Sequence, residues 1–217
     1  EEFQLSLILD SAQAPGAKRG NEFAGTRGHI GGFSLNYHKH IHCGEGGVVV
    51  TENDDLAERV RMIRNHAEAV LEDRQWENYS NMLGFNFRLG EMEAAIGSQQ
   101  LLKLGHLVER RQEIAKSLKK GLTGLAGICV PEVSEGNSHV YYMFPLLLDL
   151  SVLKWNRTKI FNALLAEGVQ GLTEGYTNLH LLPLYQRKQA YGSKSFPWSL
   201  RENIEDFNYS KGICPIA

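Results

Sequence analysis

The sequence predicts an α/β protein in two parts, and three observations support this prediction. Residues 5–10 read LSLILD, an apolar run that ends in an acid, as in a buried parallel strand whose carboxyl end opens into a crevice. Short strand-like runs are then followed by helical periodicity, an order typical of a layered α/β domain. From residue 128 onward strand and helix patterns alternate again, so we expect a smaller α/β domain there.

The first part is expected to contain two further strands and two helices, and a third, long helix is expected to join it to the second part. Apolar runs at residues 33–35 and 47–51 predict the strands. Residues 54–66 predict a helix, because acids occupy its first turn and bases its last. Apolar residues at helical spacing predict a second helix over residues 88–104 and a third, long one over residues 107–125.

The second part is expected to contain one strand and one helix before a loop-rich tail. Residues 140–149 read VYYMFPLLLD and predict the strand. The helix is predicted from Asn156, a good N-terminal cap, to Gly168, which stops it.

Composition excludes several classes of protein. With 23 Lys+Arg against 25 Asp+Glu and a net charge of -2, the chain has no basic field for a phosphate backbone, so nucleic acid is not an expected partner. No apolar run approaches the roughly 20 residues of a membrane-spanning helix, and a membrane is not expected either. The 3 cysteines are odd in number and far apart, which favours a reducing, cytoplasmic setting.

The stretch NYHKHIHCGEGG places three histidines around one lysine, Lys39. If the stretch is extended, His38, His40 and His42 share one face and Lys39 lies on the other. Histidines at alternate strand positions can bind zinc, but the only further ligand nearby is Cys43, which lies at a different pitch. We therefore expect no metal and interpret the histidines as packing or interface groups.

Four polar side chains lie near predicted strand ends in the first part. They are Asp10, Gln13, Ser34 and Lys39: a carboxylate, an amide, a hydroxyl and an amine. Such a set suits a crevice for a ligand with a basic nitrogen and an anionic group. A pyridoxal phosphate site needs these groups, because a lysine captures the aldehyde as a Schiff base, an acid keeps the ring nitrogen protonated and donors hold the phosphate.

Six ordered blocks of sequence make the resemblance to a known family specific. The chain resembles the DegT/DnrJ/EryC1/StrS family of pyridoxal phosphate-dependent sugar aminotransferases. The blocks are DSAQAPGA, FSLNYHKHIHCGEGGVVVT, IRNHAE, LGFNFRLGEMEAAIG, ERR and GYTNLHLLPLY. The resemblance implies an α/β fold of the pyridoxal phosphate-dependent transferase fold type I, aspartate aminotransferase-like.

The resemblance also implies how the chain is divided. Residues 1–105 would form the C-terminal part of the large cofactor-binding domain, and residues 106–217 the linking helix and the small C-terminal domain. The chain opens at EEFQLSLILD without Met, so we expect a fragment that lacks the family's N-terminal portion. The glycine-rich turn that supplies further phosphate donors, and the aromatic that stacks on the ring, are absent, so we expect weak cofactor binding by this chain alone.

The family's functional residues carry over to matching positions. Lys39 resembles the lysine that holds the cofactor covalently and later moves the proton. Asp10 matches the acid that pairs with the pyridinium nitrogen, and Gln13 the amide beside the ring hydroxyl. Ser34 matches a hydroxyl that binds the phosphate, and Asn86 the asparagine that the neighbouring subunit donates to it. A shared site implies a homodimer.

The implied activity is transfer of an amino group, with glutamate as donor, to a nucleotide-linked keto sugar. His180 of NLHLLPLY matches a position near the sugar substrate, and a structural histidine is the alternative. The other site residues have ordinary alternatives as well, namely helix caps, surface amides and local backbone hydrogen bonds.

Three rival functions remain open at this stage. Some relatives dehydrate deoxysugars, typically with histidine where the lysine stands, so Lys39 favours the transaminase. A non-catalytic regulatory homologue would not need the acid, amide, hydroxyl and lysine together. A metal-binding module would need the histidine row. The long segment of residues 67–83 is expected to alter the substrate entrance.

Overall fold

A computed structural model of the chain describes residues 4–67, 82–203 and 207–215. The chain forms two compact units, Glu1–Val152 and Leu153–Ala217. The domain boundary that we expect after residue 105 is a boundary between domains of the family fold, not between these two units, and it stays a prediction. Most of the 67–83 segment, which we expected at the substrate entrance, lies outside the described residues.

The described elements are short strands and six α-helices. The strands are β1 (Ile8–Asp10), β2 (Lys18–Arg19), β3 (Glu22–Phe23), β4 (Ile30–Ser34), β5 (Gly47–Val50), β6 (Ile128–Cys129) and β7 (Leu147–Leu148). The α-helices are α1 (Asp54–Arg64), α2 (Glu91–Leu101), α3 (Leu104–Leu122), α4 (Leu150–Leu153), α5 (Arg157–Ala166) and α6 (Pro183–Gln186). Two 3₁₀ turns cover Leu179–Leu181 and Trp198–Leu200. Within the described residues, no helix combines the length and apolar character needed to cross a membrane.

The three-stranded sheet has the order β1-β4-β5. Strand β1 pairs with β4 in parallel, and β4 pairs with β5 antiparallel. The three predicted strands are confirmed, but the expectation that residues 5–10 are buried is wrong for this chain, since Ile8 is 73% exposed. The physical reason is that β1 is an edge strand of the described sheet, so Ile8 is exposed and Leu9 is only partly buried.

One face of this sheet is covered by the loop that follows β1. Gly25, at φ +90°, lies so close to the Phe33 ring that a Cβ there would meet Phe33 Cζ at 2.5 Å. A Cβ on Gly31 would collide with the carbonyl of Gly25. Both positions therefore require glycine, because only a residue without Cβ permits this approach. On the other face, a Cβ at Gly32 would meet nothing within 4 Å.

The helices of the first unit follow the sequence pattern with shifted ends. Helix α1 is capped by Asn53, whose Oδ1 accepts from Leu56 N at 2.9 Å, as a first-turn cap requires. It ends at Arg64, two residues before the predicted end, because His66 has a positive φ of 60°. Helix α3 ends at Leu122, ahead of Gly124 at φ +89°.

Residues 36–46, which contain Lys39 and are called the lysine loop below, form a folded loop and not an extended strand. Asn36 organises its first turn: its Oδ1 accepts from His38 N at 3.0 Å and its carbonyl accepts from Lys39 N at 2.9 Å. The loop closes where Leu35 N donates to the Gly46 carbonyl at 2.8 Å. The condition under which the histidines would share one face is therefore not met.

A small apolar cluster holds this loop against the helices. Leu35, Ile41 and Cys43 are buried together, and the partly buried side chains that pack on them are Leu89, Leu104 and Leu107. Burial raises the pKa of the Cys43 thiol, and Glu93 and Glu45 add to that rise. The loop is thus anchored at its centre by apolar contacts with the start of α3.

The strand predicted over residues 140–149 is wrong for most of its length. Only Leu147 and Leu148 are in a strand, paired antiparallel with Ile128–Cys129. Tyr141 has a positive φ of 48°, which breaks an extended chain. Pro145 lacks a backbone donor, so it weakens pairing as well.

The second unit contains the predicted helix and a small aromatic core. Asn156 caps α5 by accepting from Lys159 N at 2.8 Å, and Gly168 follows the helix at φ +86°, so the predicted start and stop are confirmed. Trp198 is the buried centre of the tail at 5% exposure, and its Nε1 donates to Tyr209 Oη at 2.8 Å.

Candidate functional site

Asp10 and Ser34 lie together at one edge of the sheet. Each ends its strand, and the carboxyl ends of parallel strands meet at the same edge. Asp10 pairs with Gly32, two residues before Ser34. Because side chains alternate between faces with a period of two, Asp10, Gly32 and Ser34 share one face. This is the open face of the sheet.

Both polar side chains retain hydrogen-bonding capacity for a ligand. Asp10 Oδ1 accepts from Ala12 N at 3.0 Å, the one hydrogen bond this carboxylate makes among the described residues. Ser34 Oγ accepts from Asn36 N at 3.2 Å, which leaves its hydroxyl hydrogen available. A carboxylate for a protonated ring nitrogen and a hydroxyl donor for a phosphate fit pyridoxal phosphate at this edge, and the open space over Gly32 lies between them.

A large open cavity adjoins the same residues. Its volume is about 1250 Å³, and it lies between the sheet and α1, with Asp10, Gly32 and Ser34 in its lining. The rest of the lining is mainly apolar and comes from β1, β5 and α1. Lys39 is not part of this lining. The cavity is therefore wide enough for a cofactor-sized ligand, but the lysine lies outside its wall.

Lys39 is half-buried on the loop that leaves the edge of the sheet after Ser34. Its Nζ lies 4.7 Å from the centre of the Tyr142 ring, within the range of a cation–π interaction. Asn36 Nδ2 donates to Glu45 Oε1 at 2.7 Å and so ties together the two ends of the loop. Tyr142 is a residue that sequence reasoning missed, since no local spacing links it to Lys39.

The three histidines have different environments. His40 is buried at 6% exposure, with its Nε2 at 2.8 Å from the Val140 carbonyl, whereas His38 and His42 are exposed. Among the described residues, no group of three or more His, Cys, Asp or Glu side chains is arranged to hold a metal ion. The packing role expected of the histidine row therefore applies to His40.

Burial lowers the pKa of His40 below its ordinary value of 6.5. The hydrogen bond to Val140 opposes this shift, and the nearby positive charges of Arg111, Lys39 and His139 add to it. His40 is thus neutral in the folded protein at neutral pH, while the unfolded chain takes up a proton as the pH falls through 6.5.

Above about pH 6.5, we expect the charge on His40 to leave the free energy of unfolding unchanged. Between pH 6.5 and the lower pKa of folded His40, we expect the free energy of unfolding to fall as the pH falls. His40→Gln, which keeps an amide donor for the Val140 carbonyl, should flatten the slope between about pH 7 and pH 5. Denaturant unfolding at several pH values measures this. His38→Gln, at an exposed position, is the matched control and should keep the original slope. An equal slope in His40→Gln would contradict the assignment.

The remaining predicted site residues lie on the loop after β1, ahead of α2 and in the second unit. Gln13 is exposed on the loop after β1. Asn86 is exposed in a segment that pairs with the end of α1, through a bridge with Asn65. His180 belongs to the second unit, where its Nε2 is buried without a partner among the described residues and its Nδ1 lies 3.9 Å from Cys214 Sγ.

The chain is similar to known proteins over most of its length. Residues 1–204 match the profile of the DegT/DnrJ/EryC1/StrS aminotransferase family. The chain belongs to this family. A dTDP-3-amino-3,4,6-trideoxy-alpha-D-glucose transaminase of Streptomyces venezuelae is 33% identical over 183 residues, which are 83% of this chain and 45% of that protein. The chain spans about half the length of the curated DegT/DnrJ/EryC1/StrS relatives it matches.

Solved structures of this family confirm the predicted fold class. S. venezuelae DesV in complex with a ketimine intermediate matches at a TM-score of 0.74 and 31% identity, over 88% of this chain and 48% of that one. An E. coli GDP-4-keto-6-deoxy-D-mannose-3-dehydratase with bound hydrated PLP matches at a TM-score of 0.66 and 26% identity, over 76% and 45%. The fold is that of a fold type I pyridoxal phosphate enzyme, of which this chain forms a part.

Proposed function

We propose that the protein transfers an amino group from an amino acid, glutamate in our expectation, to the keto group of a nucleotide-linked sugar with pyridoxal phosphate as cofactor. One observation carries this proposal. Asp10 and Ser34 lie on one open face at the carboxyl edge of the sheet, and the loop bearing Lys39 leaves from that edge. Membership of an aminotransferase family supports it.

The residues divide the chemistry among them. Asp10 would keep the ring nitrogen protonated, and Ser34 would donate to the phosphate. Gln13, on the loop directly after Asp10, would contact the ring hydroxyl. Lys39 would hold the cofactor covalently and then carry the proton between substrate and cofactor carbons. When bound, the cofactor supplies an electron sink for the carbanion at the substrate carbon.

A homodimer with shared active sites forms part of the proposal. Asn86 is exposed, as expected of a side chain that reaches a phosphate in the neighbouring subunit. Phe85 and Phe87 on either side of it are 52% and 66% exposed and stack on each other at 4.9 Å. An exposed aromatic pair around a polar residue is the composition of an interface core.

Two further assignments depend on the same family membership. His180 would contact the sugar. Its buried Nε2, which has no partner among the described residues, supports a ligand contact, since buried polar atoms are rarely left without a partner. Cytoplasmic location remains our expectation, supported by three free cysteines, the state that a reducing compartment maintains.

Absorbance and labelling test the proposal directly. Pyridoxal phosphate added to a protein that also contains the rest of the family fold should give a yellow band, and borohydride reduction should fix the cofactor on one peptide. We expect that peptide to contain residue Lys39. Purified nucleotide-linked keto sugars with glutamate then test the transfer.

The outcomes separate the rival functions. Labelling at Lys39 with amino transfer supports the proposal. Labelling at Lys39 with dehydration of a deoxysugar, the reaction of the E. coli relative, would replace the transaminase by a dehydratase. No band and no labelling in a folded protein would overturn the cofactor assignment and favour a regulatory homologue.

A further inference from the structure

The side chain that holds the Lys39 amine comes from a segment 100 residues further along the chain. Lys39 Nζ lies 4.7 Å from the centre of the Tyr142 ring, and the next residue, His40, lies with its ring 5.9 Å from the same ring. His40 is in turn joined to the Val140 carbonyl across 100 residues of sequence. Tyr142 is therefore the aromatic partner of both residues at the centre of the lysine loop.

The segment that presents Tyr142 is fixed by its backbone. Three successive carbonyls each meet a different side chain: that of His139 accepts from Gln112 Nε2 at 2.9 Å, that of Val140 meets His40 Nε2 at 2.8 Å, and that of Tyr141 accepts from Arg111 Nη1 at 2.9 Å. Gln112 and Arg111 belong to helix α3. Two donors from a rigid helix and one from the lysine loop thus set the position of the ring.

The geometry within the segment turns the ring toward the loop. Tyr141 has a φ of 48°, and its backbone N donates to His139 Nδ1 at 2.9 Å, which closes a tight turn. Val140 is 2% exposed, so its side chain anchors the turn in the interior. The ring of Tyr142 therefore has little freedom to move. The segment before it is fixed by three carbonyl contacts, by the buried Val140 side chain and by the left-handed backbone of Tyr141.

We propose that Tyr142 is a positioning residue for Lys39, whose ring holds the charged amine beside the loop before the cofactor binds. This inference rests on the proposed function of Lys39. The face of an aromatic ring attracts a cation and has no comparable attraction for a neutral amine. Only the neutral amine attacks an aldehyde, so removing the ring should make Lys39 react faster with an aldehyde or an acylating reagent.

The charged surroundings agree with such a device. The charged or titratable groups that lower the pKa of the neighbouring His40 are Arg111 on α3, Lys39 itself and His139 on the Tyr142 segment. Arg111 is occupied by the Tyr141 carbonyl. No described carboxylate forms a salt bridge with Lys39, so the ring of Tyr142 is the partner that the structure offers to the charge.

Competitive acetylation with acetic anhydride tests the proposal and needs no cofactor. The reagent reacts only with the uncharged amine, so the rate at Lys39 reports on its contact with the ring. We expect Lys39 to react about two to five times faster in Tyr142→Met than in the unaltered protein, the fold-change that corresponds to an exposed cation–π contact. Tyr142→Phe should react like the unaltered protein. Lys159, which lies 4.4 Å over the Trp155 ring in the second unit, is the internal reference and should not change.

A fluorinated series distinguishes electrostatic holding from simple shielding. Phenylalanine, 4-fluorophenylalanine and 3,5-difluorophenylalanine at position 142 have nearly the same shape, but each fluorine weakens the negative face of the ring. We expect the acetylation rate of Lys39 to rise in that order. No trend across the series, or equal rates in Tyr142→Met and the unaltered protein, would overturn the proposal.

Capture of pyridoxal phosphate, trapped by borohydride, keeps this inference separate from the proposed function. If acetylation follows the expected order but no variant captures the cofactor at Lys39, the proposed function fails and the holding role of Tyr142 stands. If the unaltered protein captures the cofactor but the acetylation rates do not follow the expected order, the proposed function stands and the holding role of Tyr142 fails. With both correct, initial capture at Lys39 should be faster in Tyr142→Met than in Tyr142→Phe.

Discussion

Lys39→Arg is expected to lower the proposed amino transfer by about 10²- to 10⁴-fold or more, the usual contribution of a positioned proton-transfer group. Arginine keeps the positive charge and can still lie over the Tyr142 ring, so the loop should remain folded. It stays protonated at any pH used for assay, and therefore neither binds the aldehyde covalently nor accepts a proton. Steady-state rates with glutamate and the keto sugar measure the loss.

Lys159→Arg is the matched control for this variant. Lys159 has the same kind of aromatic contact, at 4.4 Å from the Trp155 ring, and lies in the second unit. Its replacement should leave the rate unchanged. A Lys39→Arg protein that retains more than about a tenth of the activity would show that another group moves the proton, since even the smaller expected effect is about 10²-fold.

Trp198→Ala is expected to lower the stability of the second unit by about 3 to 5 kcal/mol, the usual cost of removing a buried tryptophan. Trp198 is 5% exposed, and its ring meets Tyr185 and Tyr209 edge-on. The substitution leaves a cavity and removes the partner of Tyr209 Oη. Native-state hydrogen exchange of peptides covering residues 179–200 measures the change locally, without requiring the two units to unfold together.

Trp155→Ala is the matched control, because the same substitution is made at an exposed position of the second unit. Trp155 is 47% exposed, and its main contact is the cation–π pair with Lys159, so we expect a cost of about 1 kcal/mol or less. Equal losses of protection for the two variants would mean that Trp198 is not the centre of this unit.

The sequence predicts the fold best where local rules decide the structure. Asn156 caps its helix as its position indicates, and the periodic apolar residues mark α2 and α3. It fails where distant contacts decide. Residues 140–149 look like a strand, but side chains of α3 and the lysine loop occupy the carbonyls at 139–141.

The candidate site shows the same division. The position of Asp10 and Ser34 at a common edge follows from two strands that the sequence indicates, and the parallel pairing confirms it. The lysine loop is less predictable, because alternation of His and Lys resembles a strand while the turn at Asn36 depends on particular hydrogen bonds. The contact of Tyr142 with Lys39 joins residues about 100 apart and leaves no trace in any local pattern.

The carbonyl contacts at residues 139–141 also determine when the lysine loop is completed during synthesis. His40 meets a partner that lies 100 residues later in the chain, and the two donors on α3 are made in between. At about 5 to 20 residues per second, the ribosome makes Val140 roughly 5 to 20 seconds after His40. During that interval the nascent chain carries Lys39 without its aromatic partner, so the final structure of the lysine loop waits until α3 and the Tyr142 segment have been made.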